Sequence, residues 1–462
     1  MTVVARPPAS ISPVPAPLLG RIAEALTGAR VRYCQWKGHF KQARWMAGEG
    51  DIDLLVEQRS FSRFVGVLGE LGLKRTTTDS FWGYDAGSAT LYHLHATTRV
   101  LIPDMIGNIY RLPIEEALLV ARRGAPFPVP PPAVELFVFV LRATLRHSWR
   151  DVRPDGLHGW MPIARAELAH LEARARAAGA DVHAVRKLEL PYIDAALFDA
   201  CRAALEPGVP LTRRLAVRRA LARRLQGAQQ PHRRLALARR ALGWVARRLG
   251  APDRGSPAAF AAGGKVFALS GTDGSGKSTC NRALASWLRP HFRVMTAHVG
   301  RPPRSLRTLV IGGLLRVAPL PLLQWLWHLC IARDRYRLTS RAWRFALAGG
   351  ISLTERYPMA PSRALVGPRI RELSTSALAR RLAAVEESYY QRMPHPDQVF
   401  VLDVDPELAV RRKTDEPSDY VRARAETMKR ADWRGTPAKH IDAGRPLAAV
   451  LAELRELVWE AL

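Results

Sequence analysis

The 462-residue chain has little cysteine, and what it has is scattered: Cys34, Cys201, Cys280 and Cys330 form no CxxC pair. That excludes a disulfide framework and a cysteine-rich zinc site, and it fits a reducing cytoplasm. Long apolar runs are missing as well. The most apolar stretch, residues 309–331, is interrupted by Arg316, Pro319, Pro321, Gln324 and His328. No run of about 20 apolar residues survives there to span a membrane, so a buried or surface helix pair is expected instead. The first residues carry Pro7, Pro8, Pro13, Pro15 and Pro17 where a signal peptide needs an unbroken apolar core, and they read as a flexible leader over 1–19. A cytoplasmic chain is expected, either free or peripheral to a membrane.

Acidic residues are the other shortage. Lys and Arg number 70 against 41 Asp and Glu, a formal charge of +29. Such a surface attracts nucleoside phosphates, nucleic acid or anionic lipid, although an Arg- and Ala-rich composition also follows from genome base composition alone. The 48% hydrophobic content is ample for real cores and argues against disorder, and the length allows two or three domains.

Residues 211–250 contain twelve arginines and no acidic residue. The pairs Arg213/Arg214, Arg218/Arg219 and Arg223/Arg224 recur every five residues, so on a helix they wrap around the axis and form no single stripe. A solvated helical connector over 206–260 fits this, as does a contact with a membrane or another acidic partner. Nucleic acid fits worst, because Trp244 is the one aromatic among those arginines. Ahead of the connector, residues 20–205 mix helix and strand patterns. Ala133–Arg146 reads as a helix after a proline-rich break. From 261 to 462, short apolar strands alternate with helices, the pattern of a parallel α/β sheet.

The strongest motif lies in that last region. Gly271-Thr272-Asp273-Gly274-Ser275-Gly276-Lys277-Ser278-Thr279 matches GxxxxGK followed by Ser. Its glycines let backbone N–H groups converge on phosphate, Lys277 supplies a compact charge, and the Ser278 hydroxyl is suited to hold Mg²⁺. The apolar strand Val266–Leu269 precedes it. A helical pattern through Cys280, Leu284, Trp287 and Leu288 follows, so the order is strand, loop, helix. An ATP site with Mg²⁺ is the expectation.

The form GxDGxGKST resembles the phosphate loop of thymidylate kinases, and the likeness runs over roughly the last 200 residues. It implies that Asp273 helps select the acceptor and that Arg301, after the strand Val294–Val299, reaches the acceptor phosphate. Thr354-Glu355-Arg356-Tyr357 is similar to the family's Asp-Arg-Tyr/Phe motif, with Glu in place of Asp. The resemblance assigns Glu355 to the metal, and Arg356 and Tyr357 to the substrate. It also places a lid beyond the strand Val399–Val404, where Arg411, Arg412 and Lys413, then Arg422 and Arg424, offer charge for the transferring phosphate. The implied reaction is phosphorylation of a nucleoside monophosphate, thymidylate-like, or of another small phosphorylated acceptor. Between Arg301 and Glu355 lies a long Arg-, Leu- and Trp-rich insertion, 305–344, with no thymine pocket evident.

A second motif sits near the other end. Asp51-Ile52-Asp53 opens an apolar strand with two carboxylates on one face, placed to chelate a divalent metal. With Lys37-Gly38-His39 upstream, it resembles minimal nucleotidyltransferases, whose paired acids hold Mg²⁺ and a triphosphate. Their third acid is expected on a later strand, where Leu91–His95 carries His93 and His95 instead. The expected architecture is therefore an α+β nucleotidyltransferase-like domain, a helical connector and an α/β P-loop kinase domain with a parallel sheet. An ATP-sensing protein without turnover remains open.

Overall fold

In the computed structural model, the described residues are 17–104, 108–121, 124, 126–146, 160–229 and 257–462. They fall into two compact units, Met1–Lys74 with Thr78–Arg254, and Arg75–Thr77 with Gly255–Leu462. Most of the leader, and the arginine pairs at 233/234, 239/240 and 247/248, lie outside the described residues.

The first unit is built on a mixed sheet of β1 (Tyr33–Lys37), β2 (Asp51–Val56), β3 (Lys74–Arg75), β4 (Ser80–Asp85) and β5 (Thr90–Thr97), in the order β1-β2-β5-β4-β3. The helices α1 (Pro17–Gly28) and α2 (Phe61–Glu70) bury Leu19, Ile22, Leu26, Phe64 and Leu68 in a core shared with Ile52, Leu54 and Leu94 of the sheet. A small hairpin, β6 (Val100–Pro103) with β7 (Ile109–Leu112), leads to the second half of this unit.

There α3 (Pro132–Arg146) is apolar nearly all round, and a helix of that kind has to be covered on every side. It is ringed by α4 (Trp160–Ala177), α5 (Val182–Glu189), α6 (Ala195–Ala203) and α7 (Leu211–Arg224). Phe137 stacks on Phe198 at 5.3 Å, and the buried carboxylate of Glu135 accepts from Arg174 at 2.7 Å. The arginine-rich helix α7 packs on α3 through the buried Leu221, and its residues group with the first unit. Arg214 is not solvated: it is 3% exposed and donates to the carbonyls of Val209 and Glu206.

The second unit is a parallel sheet of β8 (Val266–Gly271), β9 (Val294–His298), β10 (Ile351–Glu355), β11 (Gln398–Asp403) and β12 (Ala438–Asp442), ordered β12-β11-β8-β10-β9. Every pairing is parallel, and the central β8 is buried along nearly its whole length. The chain leaves β8 for β9 and β10 on one side, then crosses to β11 and β12 on the other. A crevice therefore opens beyond the carboxyl end of β8, the place where open α/β sheets bind ligands. The second unit is thus an open, parallel α/β architecture.

Its helices include α8 (Lys277–Leu288), α9 (Leu306–Val317), α10 (Pro321–Leu347), α11 (Ala377–Gln391), α12 (Pro406–Arg412), α13 (Ser418–Lys429) and α14 (Leu447–Ala461). The stretch 309–331 is indeed a helix pair, broken between Val317 and Pro321. Among the described residues, no helix is long and apolar enough to cross a membrane.

Candidate functional site

The phosphate-loop sequence sits at the crevice. Gly276 caps α8 in the left-handed conformation, φ 85°, so the helix begins at Lys277 with its first amides pointing back into the loop. Gly274 has φ 83°, and a Cβ there would stand 2.6 Å from the Ala409 carbonyl oxygen, so only glycine fits. Such a loop at a helix N-terminus is a ready site for an anion.

Lys277 is 6% exposed, and its ammonium donates to the loop's own Thr272 carbonyl and lies 3.4 Å from Ser275 Oγ. Burial lowers its pKa to about 8. The Arg356 and Arg424 charges push the same way, and Asp273 and Glu355 partly offset them. Asp273, also 6% exposed, is gripped by Arg356 and stands 3.2 Å from Arg424 Nε on α13. Burial favours its neutral form, but Arg356, Arg424 and Lys277 outweigh that and hold the carboxyl below its usual range. Arg356 has φ 53°, uncommon for a side chain of its size, which marks it as a residue held in place by its surroundings.

Glu355 ends β10 beside β8. One carboxylate oxygen accepts from Ser278 Oγ at 2.6 Å, the other from Asn281 Nδ2 at 2.7 Å. Asn281 also has a buried Oδ1 with no hydrogen-bond partner. A hydroxyl, a carboxylate and an amide oxygen at the mouth of the loop are hard oxygen donors, and this set fits Mg²⁺. Glu355 thus reaches Ser278 despite its extra methylene relative to Asp. Asn281 is absent from the motif reading, yet its place three residues after Ser278 puts both on one helix face.

Two cavities flank the loop. One, of about 580 Å³, is lined by Gly271, Thr272, Asp403, Asp405, Lys429 and His440. The other, of about 290 Å³, is lined by Gly274, Gly276, Thr279, Arg412, Ala443 and Arg445. Arg412 is held there by a hydrogen bond from Nη1 to the Ala443 carbonyl at 2.8 Å. Arg411 is exposed on α12 and lines neither cavity. Of the arginines beyond the fourth strand of the unit, Arg424 is the one paired with Asp273.

Arg301 lies exposed just past β9, its backbone N–H bonded to His298 Nδ1. Tyr357 is placed differently from expectation. It is 3% exposed and belongs to the core, with its hydroxyl donating to the Pro394 carbonyl, so its ring faces packing and no open substrate space. Trp287, expected on the buried face of α8, is only half-buried, with Arg455 over its ring.

In the first unit, Asp51 and Asp53 do share a face of β2, with Ile52 fully buried between them. The parallel pairing sets Asp51 opposite His93 and Asp53 opposite His95. His93 Nδ1 donates to Asp51 at 2.6 Å, which lowers the Asp51 pKa. Its Nε2 lies 2.6 Å from Ser80 Oγ, and Trp82 stacks on the ring at 4.4 Å. Lys37 Nζ lies 2.9 Å from Asp53, and burial lowers its pKa against that carboxylate's pull. Asp79, which the motif reading missed, is 3.0 Å from His95 Nε2. A cavity of about 270 Å³ opens here, lined by Lys37, Asp51, Asp53, Arg142, Arg146 and Glu167.

In this arrangement Lys37 and His93 stand beside the Asp53 and Asp51 carboxylates. Among the described residues, no group of three or more His, Cys, Asp or Glu side chains stands ready to hold a metal.

Fold and site together define a mixed α/β protein with a phosphate-binding loop at the switch point of a parallel sheet. The chain matches no family model. It is 24% identical over 217 residues to an uncharacterized ATP-binding protein, YghR, found in two strains of Escherichia coli, covering 42% of this chain and 86% of the relative. A thymidylate kinase structure from Candida albicans is similar at 21% identity and a TM-score of 0.33, over 42% of this chain and 91% of that one.

Proposed function

We propose that the second unit binds ATP with Mg²⁺ and transfers phosphate to a small phosphorylated acceptor, a nucleoside monophosphate in the first instance. One observation carries this reading: Lys277, Ser278–Glu355, and the Arg356–Asp273–Arg424 cluster all converge on one helix N-terminus. Phosphoryl transfer consists mostly of positioning and charge neutralisation, and these residues supply both. The name of the Escherichia coli relatives is in keeping with the donor.

In this reading the loop amides and Lys277 hold the donor phosphates. Ser278 and Glu355, with Asn281 behind them, hold Mg²⁺, which when bound screens the phosphate charge. Arg412 and Arg445 line the space for the donor's nucleoside. Arg356 and Arg424 release Asp273 to meet the transferring group and the acceptor phosphate. Asp273 is then free to accept from an acceptor hydroxyl, and Arg301 lies at the far side of that space.

The test is purified protein with Mg-ATP and a panel of nucleoside monophosphates and sugar phosphates. ADP release that depends on the acceptor and disappears in Lys277→Ala supports the proposal. Tight ATP binding with no turnover on any acceptor would instead support a nucleotide sensor.

A second reading gives the first unit a nucleotidyltransferase-like role. It is favoured by the cavity where Asp51 and Asp53 meet Lys37, Arg142 and Arg146. It requires pyrophosphate release that survives Lys277→Ala and is lost in an Asp51→Asn/Asp53→Asn double variant.

A further inference from the structure

The insertion after Arg301 forms a helical hairpin whose outer face is apolar and exposed. On α9, Leu306, Leu309, Val310, Leu314 and Val317 are between 51% and 87% exposed. Leu320 and Leu322, at the turn and the start of α10, are exposed too. The inner face is fixed. Thr308 is fully buried, and its hydroxyl and the Ser305 N–H both donate to the buried Asp334 carboxylate, at 2.5 and 2.9 Å. A Cβ on Gly312 would come within 2.5 Å of the Trp327 ring, so α9 lies tight against α10. The exposed side chains are thus presented by a seated helix.

Charge says what covers them. From Arg301 to Arg333 the chain carries five arginines and no acidic residue. Arg307 and Arg316 are exposed on α9 itself, and Arg304 lies over the Trp327 ring at 5.2 Å. An apolar face rimmed by arginine and backed by tryptophan is the composition of a helix that lies in a membrane interface. A second copy of the chain would instead set arginine against arginine, with no carboxylate from this stretch to meet them. Helix α9 is too short to cross the bilayer, with 12 residues spanning about 18 Å against a hydrocarbon core of about 30 Å. Among the described residues no helix is both long and apolar enough to cross.

We infer that the α9–α10 hairpin docks the protein on an anionic lipid surface, with α9 lying in the plane of the headgroups. The inference does not rest on phosphotransfer. It moves the expected membrane contact from the arginine-rich segment 211–250 to the insertion beside Arg301, where it would hold the acceptor side of the crevice close to the lipid.

Flotation of the full chain with vesicles tests it, using phosphatidylcholine alone and phosphatidylcholine mixed with phosphatidylglycerol. The expected result is binding to the anionic vesicles, little to the neutral ones, and release in high salt. A Leu309→Ser/Leu314→Ser/Val317→Ser variant should lower the bound fraction by about tenfold or more while its circular dichroism melting curve stays unchanged. Because the melt of that variant could itself shift, an Arg307→Gln/Arg316→Gln variant at exposed positions is the second probe, and it should lose the preference for anionic vesicles. Undiminished binding by both variants overturns the inference and returns the contact to another surface. So does a wild-type chain that floats with neither vesicle, or one that forms a dimer which the triple variant dissociates without any vesicle binding.

Discussion

Arg424 Nε on α13 stands 3.2 Å from the carboxylate of Asp273 in the phosphate loop. A helix beyond the fourth strand of the unit is thereby tied to the loop that would receive the donor. Arg356 holds the same carboxylate from the end of β10. Under the proposed function, a donor phosphate would compete with Asp273 for both guanidiniums and so couple binding to the position of α13.

Arg424→Ala should therefore cut kcat by about 10²–10³ and change KM little, because its charge is needed most in the transition state. Steady-state kinetics with the identified acceptor checks this. Arg411→Ala, on the exposed side of α12, should change kcat by less than about threefold.

Lys277 yields a pH prediction. Its folded pKa is about 8, below the ordinary lysine value of 10.5. The unfolded chain thus binds more protons between those two values, and stability rises with pH across that window. Bound phosphate reverses the sign by favouring the charged ammonium. ATP affinity should be full below about pH 8 and fall above it by up to about tenfold per pH unit. Calorimetry in buffers of different ionisation enthalpy should show proton uptake on binding near pH 8.5–9, roughly. Unchanged affinity up to about pH 10 would contradict the burial of this ammonium.

Glu355→Gln keeps the shape and removes the charge. It should leave the melting temperature within a few degrees, roughly, and weaken Mg²⁺-dependent ATP binding by about 10–100-fold. Glu355→Ala also strands the buried Asn281 amide and should cost about 1–3 kcal/mol of stability. Equilibrium titration with and without Mg²⁺, and denaturant melts, separate the two effects.

In the first unit, Phe137 is fully buried against Phe198. Phe137→Ala leaves a cavity in the helix on which α4 to α7 depend, and should destabilise that unit by about 3–5 kcal/mol. Urea denaturation followed by circular dichroism measures it.

The phosphate loop was readable because its chemistry is local. Nine consecutive residues make up the motif, and the flanking strand and helix show their own periodicities. The helix α3 was equally plain from the run between Pro132 and Arg146. The relation of Asp273 to Arg424 was not, since Arg411, Arg412, Lys413, Arg422 and Arg424 all lie beyond β11 and spacing ranks none of them. Tyr357 misled for a related reason: its motif position pointed to substrate, but the chain turns at Arg356 and sends the ring into the core. The carboxylates Asp51 and Asp53 were found on one face as expected. Their contacts with His93 and Lys37 depend on β5 lying parallel to β2 and β1 antiparallel, and pairing of distant strands has no signature within either segment.

The amino-acid sequence by itself determined the local elements: the glycine loop with its lysine, the buried strands, the apolar helix, and the arginine-rich stretch free of acid. Those follow from backbone freedom, hydrophobic period and charge over a few residues. Tertiary structure alone decided which charges meet, as Glu355 with Ser278 and Arg424 with Asp273, and which apolar side chains stay exposed, as on α9. Both depend on where the parallel sheet and its crossing helices bring residues far apart in the chain within a few ångströms.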